Sequence, residues 1–308
     1  MTSATRFFGL DEDLAFIEIK YPPETDDPAR VFRSMAKLID AFHQIDLDLA
    51  HAVGAGFEPV LLLERVEAGS LRVWLRTVVR QLDDDALRTL DWRPLVGQYL
   101  VRGKHQVLRW LDGRNAIQSR GEVLELQSSL LEVRPPEDAE VLFIAPIAPA
   151  RLLNDIKLLT EATAELRSTD AVRYVSVQAD TELPTQLRLS SDDVERLLTD
   201  EVVESQSRTL LLIKKPDYLG NSRWEFRLDN RTIEARLLDE QWLLRFREGH
   251  IPLLPGDALD VELHSELLRS FEGNVVGTRY SVEFVHGVHR RSVGVQGLLH
   301  FEDAAEPA

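Results

Sequence analysis

The sequence predicts an α+β fold: an N-terminal region of two strand-helix-strand units with accompanying amphipathic helices, followed by a small C-terminal β-barrel-like or sandwich domain. Three observations carry this. Up to about residue 205, apolar residues recur mainly at helical spacing between short apolar, β-branched runs. From Arg208 onward they alternate every second residue, and Pro-, Gly- and Asn-containing turns punctuate the runs. The 308 residues, 44% of them hydrophobic, suffice for more than one core. The expected organisation is an α/β region over 1–205 with a sub-boundary near 115–136, a β-rich domain over 206–303, and a tail over 304–308 that composition marks as disordered.

The first element is a strand from Leu14 to Tyr21, stopped by Pro22 and Pro23. Asp27 then caps a helix whose first position suits Pro28, because a missing N–H costs nothing there. Phe32, Met35, Leu38, Ile39, Phe42, Ile45, Leu49 and Val53 mark its buried face, and Gly54 ends it. Pro59 introduces the run Val60 to Leu63, expected to be a strand buried on both faces and to close a β-α-β unit. Leu71, Trp74, Leu75, Val78, Val79 and Leu82 fit the i, i+3, i+4, i+7 template and predict a helix. A further helix runs from Pro94 to Leu111. Residues 118–134 carry both periods and read as a helix on Val123, Leu126, Leu130 and Val133. A strand from Val141 to Ala145, a helix from Pro149 to Leu166, a strand over 171–180, a short strand near Leu187 and a helix from Ser191 complete this region.

In the second domain Trp224, Phe226 and Leu228 alternate with polar residues, Asp229-Asn230 forms a turn, and Ile233, Ala235 and Leu237 alternate again, which describes a hairpin. A helix from Glu240 to Glu248 ends at Gly249. After the turn Pro255-Gly256-Asp257 come Leu259, Val261 and Leu263, then Tyr280, Val282 and Phe284, with Val293 to Leu299 as one more strand. Trp224, Phe226, Trp242, Phe246 and Tyr280 suit a peptide groove or a core, and their spacing matches buried faces.

Composition bounds the chemistry. The chain has no cysteine, which removes disulfides, thiolate metal sites and thiol nucleophiles. The formal net charge is −16, against general binding to polyanions or anionic membranes. No apolar run approaches the ~18 residues that cross a bilayer, and the start MTSATRFFGLDEDL is too acidic and broken for a signal peptide. A cytoplasmic location follows as an expectation.

Candidate sites are few. Glu18-Ile19-Lys20 has the acidic-x-Lys form that metal-dependent nucleases place at a strand end, and Glu64 supplies a second carboxylate if the two flanking strands pair. The preceding strand with its own Asp, usual in such enzymes, has no room in the residues before it. Ser34 and Lys37 match S-x-x-K without its partner motifs. Gly54-Ala55-Gly56 follows a helix and lacks the third glycine of a nucleotide loop. Histidines stand at 43, 51, 105, 250, 264, 286, 289 and 300. A zinc site from His286, His289 and His264 needs a bulge to bring the first two to one face, and no metal or cofactor is expected. Residues 65–114 hold ten basic and six acidic side chains. Arg72, Arg76, Arg80, Arg88, Arg102, Lys104 and Arg109 are expected on one basic face of paired helices, able to bind phosphates or to pair with the protein's own acids. Lys214, Lys215, Asp217 and Asn221 flank the first hairpin and form the expected docking surface.

The passages IEIKYP with RVFRSMAKLIDAF, LERVEAGSLRVWL with LDWRPLVGQYLVRGKHQVLRWLDG, and KPDYLGNSRWEFR followed by PGDALDVEL resemble a family of uncharacterised bacterial proteins found in mobile or antiviral-defence gene neighbourhoods. The resemblance covers most of the chain and includes no catalytic signature. It implies a cytoplasmic, multi-component role. The expected function is a non-enzymatic interaction or sensing component, with a protein partner or a homo-oligomer and the β domain as docking module. A metal-dependent nuclease or hydrolase using Glu18, Lys20 and Glu64, and nucleic-acid binding along residues 70–114, are the alternatives.

Overall fold

A computed structural model describes residues 14–22, 27–54, 56–67, 70–81, 93–133, 144–218, 223–254 and 256–290. The chain divides into two units, Met1–Leu198 and Thr199–Ala308. The expected strand at Val293–Leu299, the tail 304–308, Asn221, Arg88 and His300 lie outside the described residues.

In the first unit, strand β1 (Leu14–Lys20) leads into helix α1 (Pro28–Val53), whose N-terminus Asp27 caps by accepting from the Arg30 N–H at 3.3 Å. Strands β2 (Phe57–Glu67) and β3 (Leu71–Gln81) form a hairpin. Helices α2 (Arg93–Leu111), α3 (Arg120–Leu131) and α4 (Pro149–Ala162) follow, then β4 (Ala171–Ser176), β5 (Asp180–Leu183) and α5 (Ser191–Leu198). The sheet has the order β2-β3-β1-β4-β5, and every neighbouring pair is antiparallel. Because β3 lies between β1 and β2, the unit β1-α1-β2 is split, and β3 and β4 flank β1 in the same way. This is the βαββαβ connectivity of ferredoxin-like folds, extended by β5 and by α3 and α4.

The first region departs from the sequence expectation in four places. Residues 71–81 form strand β3 and no helix: Leu71, Val73, Leu75 and Val79 all enter the core, a period of two that shares Leu71, Leu75 and Val79 with the helical template. The second strand-helix-strand unit consequently starts at β3. Of the expected strand from Val141 to Ala145, residues 141–143 lie outside the described residues; residues 184–190 form no strand, the extra strand being β5. β2 is an edge strand, so Leu62 and Leu63 are exposed where burial on both faces was expected. On α1 the long apolar stripe holds, but Phe32 points to solvent and Val31 takes its place in the core.

One face of the sheet carries Ile17, Ile19, Val73, Leu75, Val172 and Leu183 against the helices. The opposite face carries the alternate residues, including Phe16, Glu18, Arg72, Trp74, Arg76 and Arg173.

In the second unit, β6 (Thr199–Lys215), β7 (Trp224–Leu228), β8 (Arg231–Leu237), helix α6 (Glu240–Arg247), β9 (Ala258–Ser270) and β10 (Val275–His289) form a closed five-stranded barrel, resolving the choice between barrel and sandwich. Numbered within the barrel, the strand order is 1-2-3-5-4-1, with a parallel third-to-fifth pair and a helix after the third strand, the connectivity of an OB barrel. Asp229 and Asn230, both at positive φ, make the tight β7–β8 turn. Gly249, at φ 81°, ends α6: its N–H reaches the Phe246 carbonyl while the His250 N–H reaches that of Arg245. Trp224, Phe226, Trp242 and Phe246 fill the interior, with the last two rings stacked at 5.6 Å, so these aromatics are core.

Candidate functional site

The expected metal set is taken apart by the sheet. Glu18 lies mid-sheet on the outer face in a row of alternating charge, Glu67–Arg72–Glu18–Arg173–Glu182, that crosses all five strands. It accepts from Ser70 Oγ at 2.7 Å and Arg72 Nε at 2.6 Å, with Lys20 Nζ at 3.8 Å. Burial pushes the Glu18 carboxyl up, but the hydrogen bonds of Ser70 and Arg72 and the nearby cations outweigh it and hold it below the usual range. Glu64 sits on β2, beyond β3, and pairs with Arg76 at 2.8 Å. The strand pairing that would bring Glu18 and Glu64 together is therefore not made. The described residues contain no group of three side chains suited to a metal ion. On the barrel, His286 hydrogen-bonds Glu262 at 2.8 Å, His264 lies near Glu266 and Glu283, and His289 lies 3.8 Å from Asp260; each histidine faces a carboxylate.

The expected basic stripe also divides. Arg72, Arg76 and Arg80 do share a face, since positions four apart do so on a strand as well as on a helix. Trp74, expected on the opposite apolar side, shares that face with them; it packs on Phe16 at 4.5 Å with the Arg65 guanidinium over its ring at 4.3 Å. Lys104 is in the interior: its ammonium lies 2.6 Å from Asp46 and 3.3 Å from Thr77 Oγ1. Burial pushes that ammonium down, but the Asp46 charge more than restores it. Arg102 and Arg109 belong to α2, on the helix-covered side of the sheet.

Those two arginines line a cleft of about 530 Å³ together with His105, Gln106, Ser129, Glu132, Val133, Gln178 and Ala179. Arg102, His105, Gln106 and Arg109 stand at i, i+3, i+4 and i+7 of α2, so the helical period aligns them in one stripe. Ser129 on α3, with Glu132 and Val133 just past its end, repeats the spacing, and the β4–β5 turn closes the third side.

His105 forms the floor. Its ring lies 4.7 Å from Tyr174, Nδ1 is 2.8 Å from Thr181 Oγ1 and Nε2 is 2.9 Å from Ser176 Oγ, which also accepts from the Gln178 backbone N–H. Burial, with Arg109 and Lys104 adding positive charge, depresses its pKa to about 3. A neutral imidazole has one donor and one acceptor, which these two hydroxyls occupy. The ring is thus fixed and uncharged at neutral pH, poorly suited to exchange protons with a substrate, and the cations of the cleft are Arg102 and Arg109. Gln178 Oε1 is buried without a hydrogen-bond partner. Sequence reasoning named Arg102 and Arg109 as candidate binding residues but missed His105, Gln106 and the walls from α3 and the β4–β5 turn; the polar stripe on the helix over 94–111 was the signal available for the first two.

Of the docking residues, Lys214 and Lys215 are exposed, with Glu225 3.1 and 3.9 Å away, and Asp217 lies in the loop beyond them, where Tyr218 rests on Phe246 at 5.2 Å. Beside them the long β6 is notable for its solvent exposure: every residue from Asp200 to Arg208 is exposed, Val202 and Val203 included, and pairing with β9 runs from Thr199 to Leu212. Among the described residues β7 joins the other side of β6 only from Leu212, which leaves the first half of β6 as a sheet edge.

Comparison of the chain with protein families, curated proteins and solved structures returns no match.

Proposed function

We propose that this protein is a non-enzymatic interaction or sensing component of a multi-protein assembly, with the barrel unit as its docking module. The observation that carries the reading is the β6 edge. A long strand edge without Pro or Lys over Asp200–Ser207 offers backbone donors and acceptors for strand addition by an extended peptide of a partner. The pairs that occupy Glu18, Glu64 and His105 also favour binding over catalysis. A cytoplasmic setting, and a place in antiviral defence, rest on the sequence resemblance given above.

The test is affinity capture of the full chain from its native host with mass analysis, alongside a Val202→Lys/Val203→Lys variant. Both valines are exposed, so the double change alters the edge and spares the core. A peptide or protein retained by the wild type and lost with the variant supports the proposal. Equal retention overturns edge docking, and a nuclease or hydrolase activity abolished by Glu18→Ala overturns the non-enzymatic reading.

A further inference from the structure

We infer that the cleft between α2, α3 and the β4–β5 turn binds a small zwitterion, with its carboxylate against α2 and its ammonium against α3 and the turn. The inference is independent of barrel docking, because the cleft lies wholly within the first unit.

The volume, about 530 Å³, falls in the range of roughly 300–1,000 Å³ typical of small-molecule sites. The walls differ in chemistry. On the α2 side Arg109 is exposed and makes no ion pair or hydrogen bond among the described residues, and Gln106 stands three positions before it on the same stripe. A guanidinium only donates, and its paired N–H groups match the two oxygens of a carboxylate. Arg102 already has an interaction within the chain and takes no part in this site.

On the other two sides the free groups accept. Glu132, just past α3, is an exposed carboxylate that no cation among the described residues pairs with, Arg109 included. One turn before it, Ser129 Oγ gives its proton to the Leu126 carbonyl at 2.8 Å and keeps its lone pairs. In the β4–β5 turn, Gln178 Oε1 is buried with no hydrogen-bond partner in the protein, a costly acceptor to leave unmet. Three acceptors, one of them charged, suit an ammonium, which has three N–H donors and no acceptor. The free charges of the cleft, one of each sign, thus favour a ligand of zero net charge, which the −16 of the chain neither attracts nor repels. The only ring in the lining is that of His105, whose two nitrogens are already occupied, so no platform exists for stacking a nucleobase. The chemistry recognised is that of a free amino acid or a dipeptide.

Titration calorimetry on the full chain, with L-glutamine and glycyl-L-glutamine as probes, distinguishes the two by the distance between their charges. At least one is expected to bind, and the tighter reports the span of the site. Blocking either end of that probe is expected to weaken it at least tenfold: the C-terminal amide removes the carboxylate, and N-acetylation removes the ammonium. Arg109→Gln is expected to weaken the unblocked probe at least tenfold while its amide stays within about threefold of the wild-type affinity. Glu132→Gln is expected to do the same with the N-acetyl form spared. Both side chains are exposed and make no ion pair among the described residues, so their loss spares the fold, which an unchanged thermal melt checks. Absence of heat with both probes, a blocked form that binds as tightly as the free one, or a wild-type affinity in either variant would each overturn the inference.

Discussion

The two units solve the same problem, filling an interior, with opposite chemistry. The first buries Glu18, Arg30, Asp46, Asp48, Lys104, His105, Asp155 and Asp170, whereas the barrel buries one ionisable side chain among the described residues, Asp257. In the first unit almost every buried charge has a named opposite. Arg30 grips Asp170 with its two terminal guanidinium nitrogens, Lys104 holds Asp46, and Arg151 lies 2.6 Å from Asp48. The barrel relies on four packed aromatic rings and places its charges outside. A buried ion pair adds little net stability but is costly to break, while aromatic burial is indifferent to pH. The difference implies that the first unit responds to pH and to loss of a single charge, and that the barrel does not.

The largest expected effect comes from breaking the pair at Lys104. Lys104→Met keeps the length of the side chain and leaves Asp46 buried without its cation, which is expected to cost about 3–5 kcal/mol in urea unfolding at pH 7. Adding Asp46→Leu removes the stranded charge and is expected to recover most of the loss. A single variant that loses under about 1 kcal/mol would break the contrast between the units at its strongest point.

Asp155 gives a smaller effect with a definite sign. Burial, and then the neighbouring Asp48 carboxylate, raise its pKa from 3.8 to about 8. The folded chain therefore holds this proton more tightly than the unfolded one. The resulting stabilisation is complete below pH ~4 and declines until the pH passes about 8. Asp155→Asn mimics the protonated acid and cannot ionise. Each tenfold difference in proton affinity between the folded and unfolded chain corresponds to roughly 1.4 kcal/mol, and relaxation around the buried charge reduces what is realised. Between pH 5 and pH 8 the wild type is accordingly expected to lose about 1–3 kcal/mol more than the variant. Hydrogen exchange should place the change in α1 and α4, with β7 and β8 protected equally at both pH values. Parallel decline of wild type and variant would remove Asp155 from the account.

How legible each unit was in the sequence follows from the same contrast. Strands β7 and β8 were readable because each buries one face, so Trp224, Phe226, Ile233, Ala235 and Leu237 alternate cleanly, and Asp229-Asn230 supplies the turn chemistry, whereas β6, exposed at every residue from Asp200 to Arg208, gave no such alternation and was not expected. In β3 the residues Leu71, Leu75 and Val79 satisfy periods of both two and four. The tie is broken by Val73 and Thr77, β-branched residues on the same side, and by the pairing of β3 with β1 and β2, which no local pattern reveals. Lys104 was expected on a basic surface, since nothing in its own helix indicates that Asp46, 58 positions away, waits for it in the core. The cleft was hidden for a related reason: α2, α3 and the β4–β5 turn meet only in the folded chain. Charge in a sequence is visible, whereas its partner is a property of topology.

The smallest effect tests the other half of the comparison. On the barrel wall Arg208 holds Asp260 through two hydrogen bonds, 2.9 and 2.7 Å long, a geometry as regular as any buried pair in the first unit. The Arg208 contact holds the Asp260 carboxyl below its usual range, with His286 and His289 adding positive charge. By sign alone, this contributes stability above the unfolded pKa and loses it on acidification. Both groups are open to water, however, and solvent screening leaves an exposed pair with little to contribute. Asp260→Asn is therefore expected to leave the thermal melt unchanged within repeatability at pH 7 and at pH 4.5. If it instead shifted the melt as far as Lys104→Met, the geometry of an ion pair would outweigh its burial, and the division between a charge-filled unit and an aromatic-filled barrel would no longer account for their stability.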